Sequence, residues 1–340
     1  MKPGSRICRR TTVARFLSAV VAACFATYGT ANAQATFIAE VSQTGRGLFL
    51  EGPVWHPEEG LLFTDIPGDR ILQLEPDDTV STWKTPTGEA NGLILDLQGR
   101  LIAAEDVGRR VVRYETDGSV TVLADSYEGQ PLNSPNDLTI DDTGRIYFTD
   151  PAYRNRDDKE RRDDSGEVVD GIYRIDAPGE IVMLSEHLVS YPNGIAVSPD
   201  NQFLYAADIG PEPDGDGQIE ILWRFDLAAD GTIVPASQTA LYEWDIDSGP
   251  DGMAVDVDGN IYVAAGIPGA NIDDSAEGSS RGIVVFSPDG TIVHTIPISG
   301  GGTVANVTFG DSDRETLYIT AGNQVWRAEA LAPGYVAGAQ

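Results

Sequence analysis

The chain has 340 residues, with 23 Lys+Arg against 53 Asp+Glu and 41% hydrophobic residues. So large an acidic surplus excludes the cationic face that nucleic acid and anionic membrane surfaces require, while the length and apolar content suit a full core rather than disorder. Both cysteines, Cys8 and Cys24, lie near the N-terminus, which also excludes a small disulfide-stapled domain.

The first 33 residues hold five cations (Lys2, Arg6, Arg9, Arg10, Arg15) and no acid. An apolar run, Phe16 to Phe25, and then Ala31-Asn32-Ala33 complete the three-part layout of a secretory signal with an A-x-A cleavage site. The run is shorter than the roughly 20 residues that span a bilayer. Residues 1–33 are therefore expected to be a signal peptide and 34–340 a single domain, periplasmic or secreted. A competing reading takes Val21-Ala22-Ala23-Cys24 as a lipobox, with a lipid anchor on Cys24. Without the leader, 18 Lys+Arg face 53 acids, a net charge of −35.

Beyond the leader one pattern occurs six times, starting at residues 51, 91, 136, 193, 251 and 305: a short apolar run, an Asp/Pro/Gly turn and a second run ending in a polar residue. EGPVWHPEEGLLFTD (51–65) and NDLTIDDTGRIYFTD (136–150) show it most plainly. Each copy reads as a hairpin, and a second pair of strands follows most copies, such as RRVVRYE (109–115) and SVTVLAD (119–125). Four strands per 40 to 58 residues is the size of a propeller blade. The sequence thus predicts an all-β, six-bladed propeller with four-stranded blades. The last copy is followed by only one further strand, QVWRAEA (324–330), so the N-terminal ATFIAEV (35–41) is expected to close the ring.

The first position of the copies reads Glu51, Asn91, Asn136, Asn193, Asp251 and Ala305. In a closed ring these residues meet near the axis on one face. Two carboxylates and up to three carboxamides, without His or Cys, make a hard oxygen site suited to Ca²⁺. His56, His187 and His294 share no zinc-ligand spacing. Turn chemistry alone also favours Asn and Asp before strands; two carboxylates and three Asn at one repeat position point to metal instead. Asn91 stands between a turn residue and a substrate contact. A second column, Asp65, Glu105, Asp150 and Asp208, ends the second strand on the same face, where it holds loop amides or, alternatively, contacts substrate. Loops 151–170, 209–218 and 266–281 are expected to wall the site, with Arg154 and Arg156 either solvated or meeting an anionic substrate.

EGPVW (51–55), LNSPNDL (132–138), YFTDP (147–151), PNGIAVSPD (192–200) and PDGMAVDVDGNIYVAAG (250–266) resemble the bacterial gluconolactonase, or senescence-marker-protein/regucalcin-like, family over nearly the whole mature chain. The resemblance implies a six-bladed propeller with one divalent cation, usually assigned as Ca²⁺, contacted by Glu51, Asn193 and Asp251, with Asn136 on the metal or the substrate. The chain departs from the family at Glu105-Asp106, where many bacterial members have Glu-His, and at Ser134, where animal members have Arg, so the substrate pocket is expected to differ around Asn91, Ser134 and Asn136.

With that resemblance, the expected reaction is metal-assisted opening of a sugar or related lactone: the cation polarises the carbonyl, and Asp251 serves as ligand and as general base for water. Asp137 is the second candidate base, or an orienter of its neighbours. A serine-hydrolase elbow, G-x-S-x-G, is absent. The alternatives are phosphotriester hydrolysis on the same ligands and a non-catalytic binding propeller that holds Ca²⁺.

Overall fold

The computed structural model describes residues 34–340 except 44, 154–160, 186, 211–219, 245–248, 269–280, 301 and 339–340. The leader with its cysteines, and Arg154 and Arg156, lie outside the described residues, as does most of loops 209–218 and 266–281.

Among the described residues, six four-stranded antiparallel sheets and one two-stranded ribbon, Ser126–Tyr127 with Gln130–Pro131, hold all the strands. Blade 1 comprises Leu50–His56, Gly60–Asp65, Arg70–Leu74 and Val80–Lys84; blade 2 comprises Ala90–Leu95, Leu101–Glu105, Arg110–Tyr114 and Val120–Ala124. Blades 3 to 5 start with Leu138–Ile140, Pro192–Val197 and Met253–Val255. Blade 6 holds Val304–Gly310, Thr316–Ala321 and Gln324–Glu329, and its outermost strand is Thr36–Glu40, paired antiparallel to Gln324–Glu329. The N-terminal strand thus closes the ring, and each innermost strand touches the next around it, blade 6 meeting blade 1. The only helical turn among the described residues is Pro235–Ser237, and no helix is long and apolar enough to cross a membrane.

Near-continuous apolar runs such as Leu61-Leu62-Phe63 and Ile261 to Ala265 give each blade two apolar faces, and six hydrophobic clusters fill the six gaps between blades. Tyr147, Tyr262 and Tyr318 occupy one repeat position in this core, and each hydroxyl donates to the Asp of its own hairpin turn: Asp141 (3.0 Å), Asp256 (3.2 Å) and Asp311 (3.1 Å). These three phenols thereby keep a partner.

Strand pairing sets the two ends of the ring. Leu50 faces Asp65 and His56 faces Gly60, so the start of each inner strand and the end of the second share one end, and the hairpin turns share the other. The inner strands begin irregularly, with bulges between Glu51 and Val54, Ala90 and Leu93, Pro192 and Ile195, and Val304 and Asn306. A bulge lets consecutive residues depart from strict alternation, and the site depends on that.

Candidate active site

Glu51 enters the channel mouth from the first strand of blade 1 and is only 4% exposed. Its Oε2 accepts hydrogen bonds from the Gly52 amide (2.8 Å) and from Asn306 Nδ2 (2.9 Å) across the blade 6–blade 1 junction. Burial nevertheless pushes its carboxyl up to about 7. Asp137, 7% exposed, lies just before the first strand of blade 3, and Oδ1 accepts from the Leu138 amide (2.9 Å). Burial first, and then the charge of Glu51, push its carboxyl up to about 8, although the Asn306 side chain also bonds to it. Asp251 is held well above the carboxylate range by burial and by the charges of Glu51 and Asp137, against hydrogen bonds from the Asn193 side chain and the Gly252 amide.

The structure thus brings Glu51, Asn193 and Asp251 to one mouth, with Asp137 in the same field. It adds Asn306, 5% exposed, whose side chain links Glu51 to Asp137 while its Oδ1 accepts from the Val307 amide (2.8 Å). Asn306 stands one residue after Ala305 and was missed by the repeat column. The signal lies in the next column, Gly52, Gly92, Asp137, Gly194, Gly252 and Asn306, where four glycines are interrupted by two polar residues. The glycines make the room. A Cβ on Gly92 would lie 2.6 Å from Asp137 Oδ1, and one on Gly252 would lie 2.0 Å from Asn306 Cγ.

Asn91 and Asn136 are buried at the same strand starts. Their backbones stitch neighbouring blades together: the Asn91 carbonyl accepts from Thr64 Oγ1 (2.9 Å), the Asn136 carbonyl from the Gly92 amide (2.8 Å), and the Asn193 carbonyl from Thr149 Oγ1 (2.7 Å). Ser134 is buried in the loop above, where Oγ donates to the Pro151 carbonyl (2.5 Å) and accepts from the Tyr153 amide (3.2 Å). The second column anchors loops and arginines. Asp65 pairs with Arg70 (2.8 Å) and Glu105 with Arg110 (2.6 Å), while Asp150 accepts from the Asn133 amide (2.8 Å) and Asp208 from the amides of Ser190 (3.0 Å) and Tyr191 (2.8 Å).

The donor set fits a hard divalent cation. All of these groups offer oxygen, and the like charges of Glu51, Asp137 and Asp251 work against one another, a conflict that a cation relieves. Among the described residues no three acidic, His or Cys side chains converge into a cage. A cation here would accordingly rest on Glu51 and Asp251 with the amide oxygen of Asn193.

Fold and site together define a class: a closed six-bladed propeller with mutually repelling acids and carboxamides at one mouth of its channel. Residues 49–323 match the SMP-30/Gluconolactonase/LRE-like region, and the chain belongs to that family. It is 31% identical over 301 residues to the gluconolactonase of Zymomonas mobilis, covering 82% of this chain and 77% of that one. It is 30% identical over 288 residues to the 6-deoxy-6-sulfogluconolactonase of Pseudomonas putida, covering 83% and 86%. Its fold matches XC5397, a gluconolactonase of Xanthomonas campestris, with a TM-score of 0.69 at 28% identity over 88% of this chain and 90% of that one.

Proposed function

We propose that the protein opens a sugar lactone at the Glu51–Asn193–Asp251 mouth with the help of one divalent cation, best matched by Ca²⁺, after export through its N-terminal leader. The chain is an enzyme of the lactonase class, a carboxylic-ester hydrolase, as its gluconolactonase relatives are. The observation that carries the metal reading is that buried Glu51 and part-buried Asp251 repel one another at one mouth, with the Asn193 side chain on Asp251 and no ion pair on either among the described residues.

When bound, a divalent cation supplies Lewis-acid polarisation of the ester carbonyl and charge stabilisation as the carbonyl oxygen becomes negative. The protein supplies the rest. Asp251 takes the proton of the attacking water on its carboxylate and returns it to the ring oxygen as the ester C–O bond breaks. Beside a cation that carboxylate stays a weak base, so positioning and polarisation carry more of the rate than base strength. Asn193, hydrogen-bonded to Asp251, fixes that carboxylate's orientation. Asn306 does the same for Glu51 and Asp137, so the reacting groups hold their geometry before substrate arrives. Asp137 stands behind them as an orienter and Asn136 beside them as a contact for cation or substrate. Asn91 lines the substrate side. Ser134 shapes that side through the loop that its hydroxyl ties to Pro151 and Tyr153.

Proton release on glucono-1,5-lactone, with Ca²⁺ and then with a chelator, tests the reading. Turnover that the chelator abolishes and Ca²⁺ restores is expected. No turnover of any hydroxylated lactone with Ca²⁺ present sinks it, and chelator-resistant turnover removes the cation from it. N-terminal sequencing of the protein recovered from the producing cell tests the leader, with Gln34 expected as the first residue.

A further inference from the structure

Tyr153 carries a feature that the proposed chemistry leaves unused. It follows the strand Ile146–Asp150 at the same end of the ring as Glu51, Asn136 and Asn193. Its backbone is fixed, because its amide donates to Ser134 Oγ and Ser134 in turn donates to the Pro151 carbonyl. Its ring is fixed as well, edge-on to Tyr191 with centroids 4.7 Å apart and planes at 73°. Tyr191 is itself anchored from both ends: its amide donates to Asp208 Oδ1 (2.8 Å) and its hydroxyl to the Ala152 carbonyl (2.7 Å). Two loops, from blades 3 and 4, therefore present one immobile aromatic pair.

The Tyr153 hydroxyl nevertheless has no hydrogen-bond partner, although it is shielded from solvent. Buried phenols are nearly always partnered, since stripping one of water without replacement is costly. Tyr114 and Tyr205 also bury unpartnered hydroxyls, but both project from strands within the blade gaps. Burial first, and then charges that include those of Asp251 and Glu51, hold the Tyr153 pKa well above the ordinary value, so the hydroxyl stays protonated at the mouth end of the ring. A neutral phenol offers one donor and one acceptor. That combination matches an alcohol, which also donates and accepts, better than the ester carbonyl, which only accepts.

We propose that the Tyr153 hydroxyl binds a hydroxyl group of the substrate, so that the site selects polyhydroxylated lactones over bare ones. This rests on the lactonase reading for its substrate and makes Tyr153 a specificity-determining residue. The rigid backing from Ser134 and Tyr191 means that no reorganisation is needed on binding, the condition under which one hydrogen bond discriminates best.

The test is Tyr153→Phe, which keeps the ring against Tyr191 and removes only an oxygen that holds nothing in the protein. Titration calorimetry with 1,5-anhydroglucitol, a cyclic polyol with no ester, is run with Ca²⁺ on both proteins. Steady-state kinetics then compare glucono-1,5-lactone with δ-valerolactone, which has no hydroxyl. Binding of the polyol about tenfold weaker in the variant, and KM for gluconolactone raised about tenfold at unchanged kcat, are expected from the loss of one hydrogen bond. KM for δ-valerolactone should not move. Equal polyol affinity in the two proteins overturns the proposal, as does a wild-type protein that does not bind the polyol. Equal losses on both lactones overturn it too, since they show an effect on site structure or on the ester itself. A wild type that binds the polyol but opens no lactone removes the lactonase reading, while the polyol comparison still decides the role of Tyr153.

Discussion

At the strand-start end of the central channel, the repeats bring buried Glu51 and Asp137 into one field with part-buried Asp251 and hold each above its ordinary carboxylate range. At the hairpin end the same repeats are crossed by a segment that belongs to no repeat. The C-terminal residues Pro333 to Gly338 run over the turns of several blades. Gly334 donates to the Arg314 carbonyl (2.9 Å), Tyr335 to the Val255 carbonyl (3.0 Å), and the Val257 amide to Pro333 (2.9 Å). Asp142 then receives both the Tyr335 hydroxyl and the Gly338 amide at 2.7 Å, which lowers its pKa. Between the two ends lies a cavity of about 200 Å³ that meets Asp137 and Asn306 at one end, Met253 and Phe309 along its wall, and Tyr335 at the other. The contrast separates two uses of polar groups. The acid at the foot is held below its ordinary value by the hydrogen bonds it accepts, whereas the acids at the mouth are held above theirs by burial and by one another, as functional sites commonly are.

The largest expected effect comes from removing the base proposed at the mouth. Asp251→Asn should cut kcat on gluconolactone about 10²–10⁴-fold, while its melting temperature stays at or above that of the wild type because a like charge is gone. Initial rates and thermal denaturation of the same sample measure this, and wild-type rates would break the division of roles.

Asn306→Ala comes next. It strips Glu51 Oε2 of its amide donor and releases Asp137, so Ca²⁺ affinity by calorimetry should fall about 10–100-fold. Unchanged affinity would make Asn306 a spacer only.

Truncation after Leu331 sharpens the comparison from the other side. Losing several hydrogen bonds at about 1 kcal/mol each should lower the melting temperature by about 5–10 °C, with kcat/KM on gluconolactone held within about twofold of wild type. An equal fall in activity would show that the two ends are coupled through the cavity.

The smallest effect is expected beside the mouth, at Asp150. Burial raises its carboxyl from 3.8 to about 7, and Oδ1 has no partner. A raised folded value means that the stability from protonated Asp150 is complete below about pH 4 and is lost as pH rises through about 7. Asp150→Asn has no such proton to lose. It should melt a few degrees higher than wild type at pH 8 and about equal to it at pH 4. A difference of the same size at both pH values would point to packing instead of charge.

Much of this was legible in the residues. The six copies place the inner two strands of every blade, and the missing strand after QVWRAEA fixes the closure by Thr36–Glu40. Glu51, Asn193 and Asp251 emerge because they share a repeat position. Asn306 does not, and neither does the depth at which Asp137 sits. Both stand one residue later than the chosen column, and strict alternation would turn that position to the opposite face. The bulge between Val304 and Asn306 re-aims Asn306, and Asp137 escapes the alternation because its strand begins only at Leu138. Tyr153 was hidden for another reason: its role depends on Ser134 and on Tyr191 of the next blade, and no spacing in the chain encodes that meeting.

By itself the sequence determined the number of blades, the closure of the ring, the acidic surplus and the oxygen-only character of the first column, because hairpin pattern and residue chemistry are local properties that repetition makes visible. Tertiary structure alone decided which acids share a field, which glycines make room for Asp137 and Asn306, and which end of the channel the C-terminal segment covers. Those depend on distances between blades, where a Cβ 2.0 Å from Asn306 Cγ is excluded by sterics, and no one-dimensional pattern carries a distance.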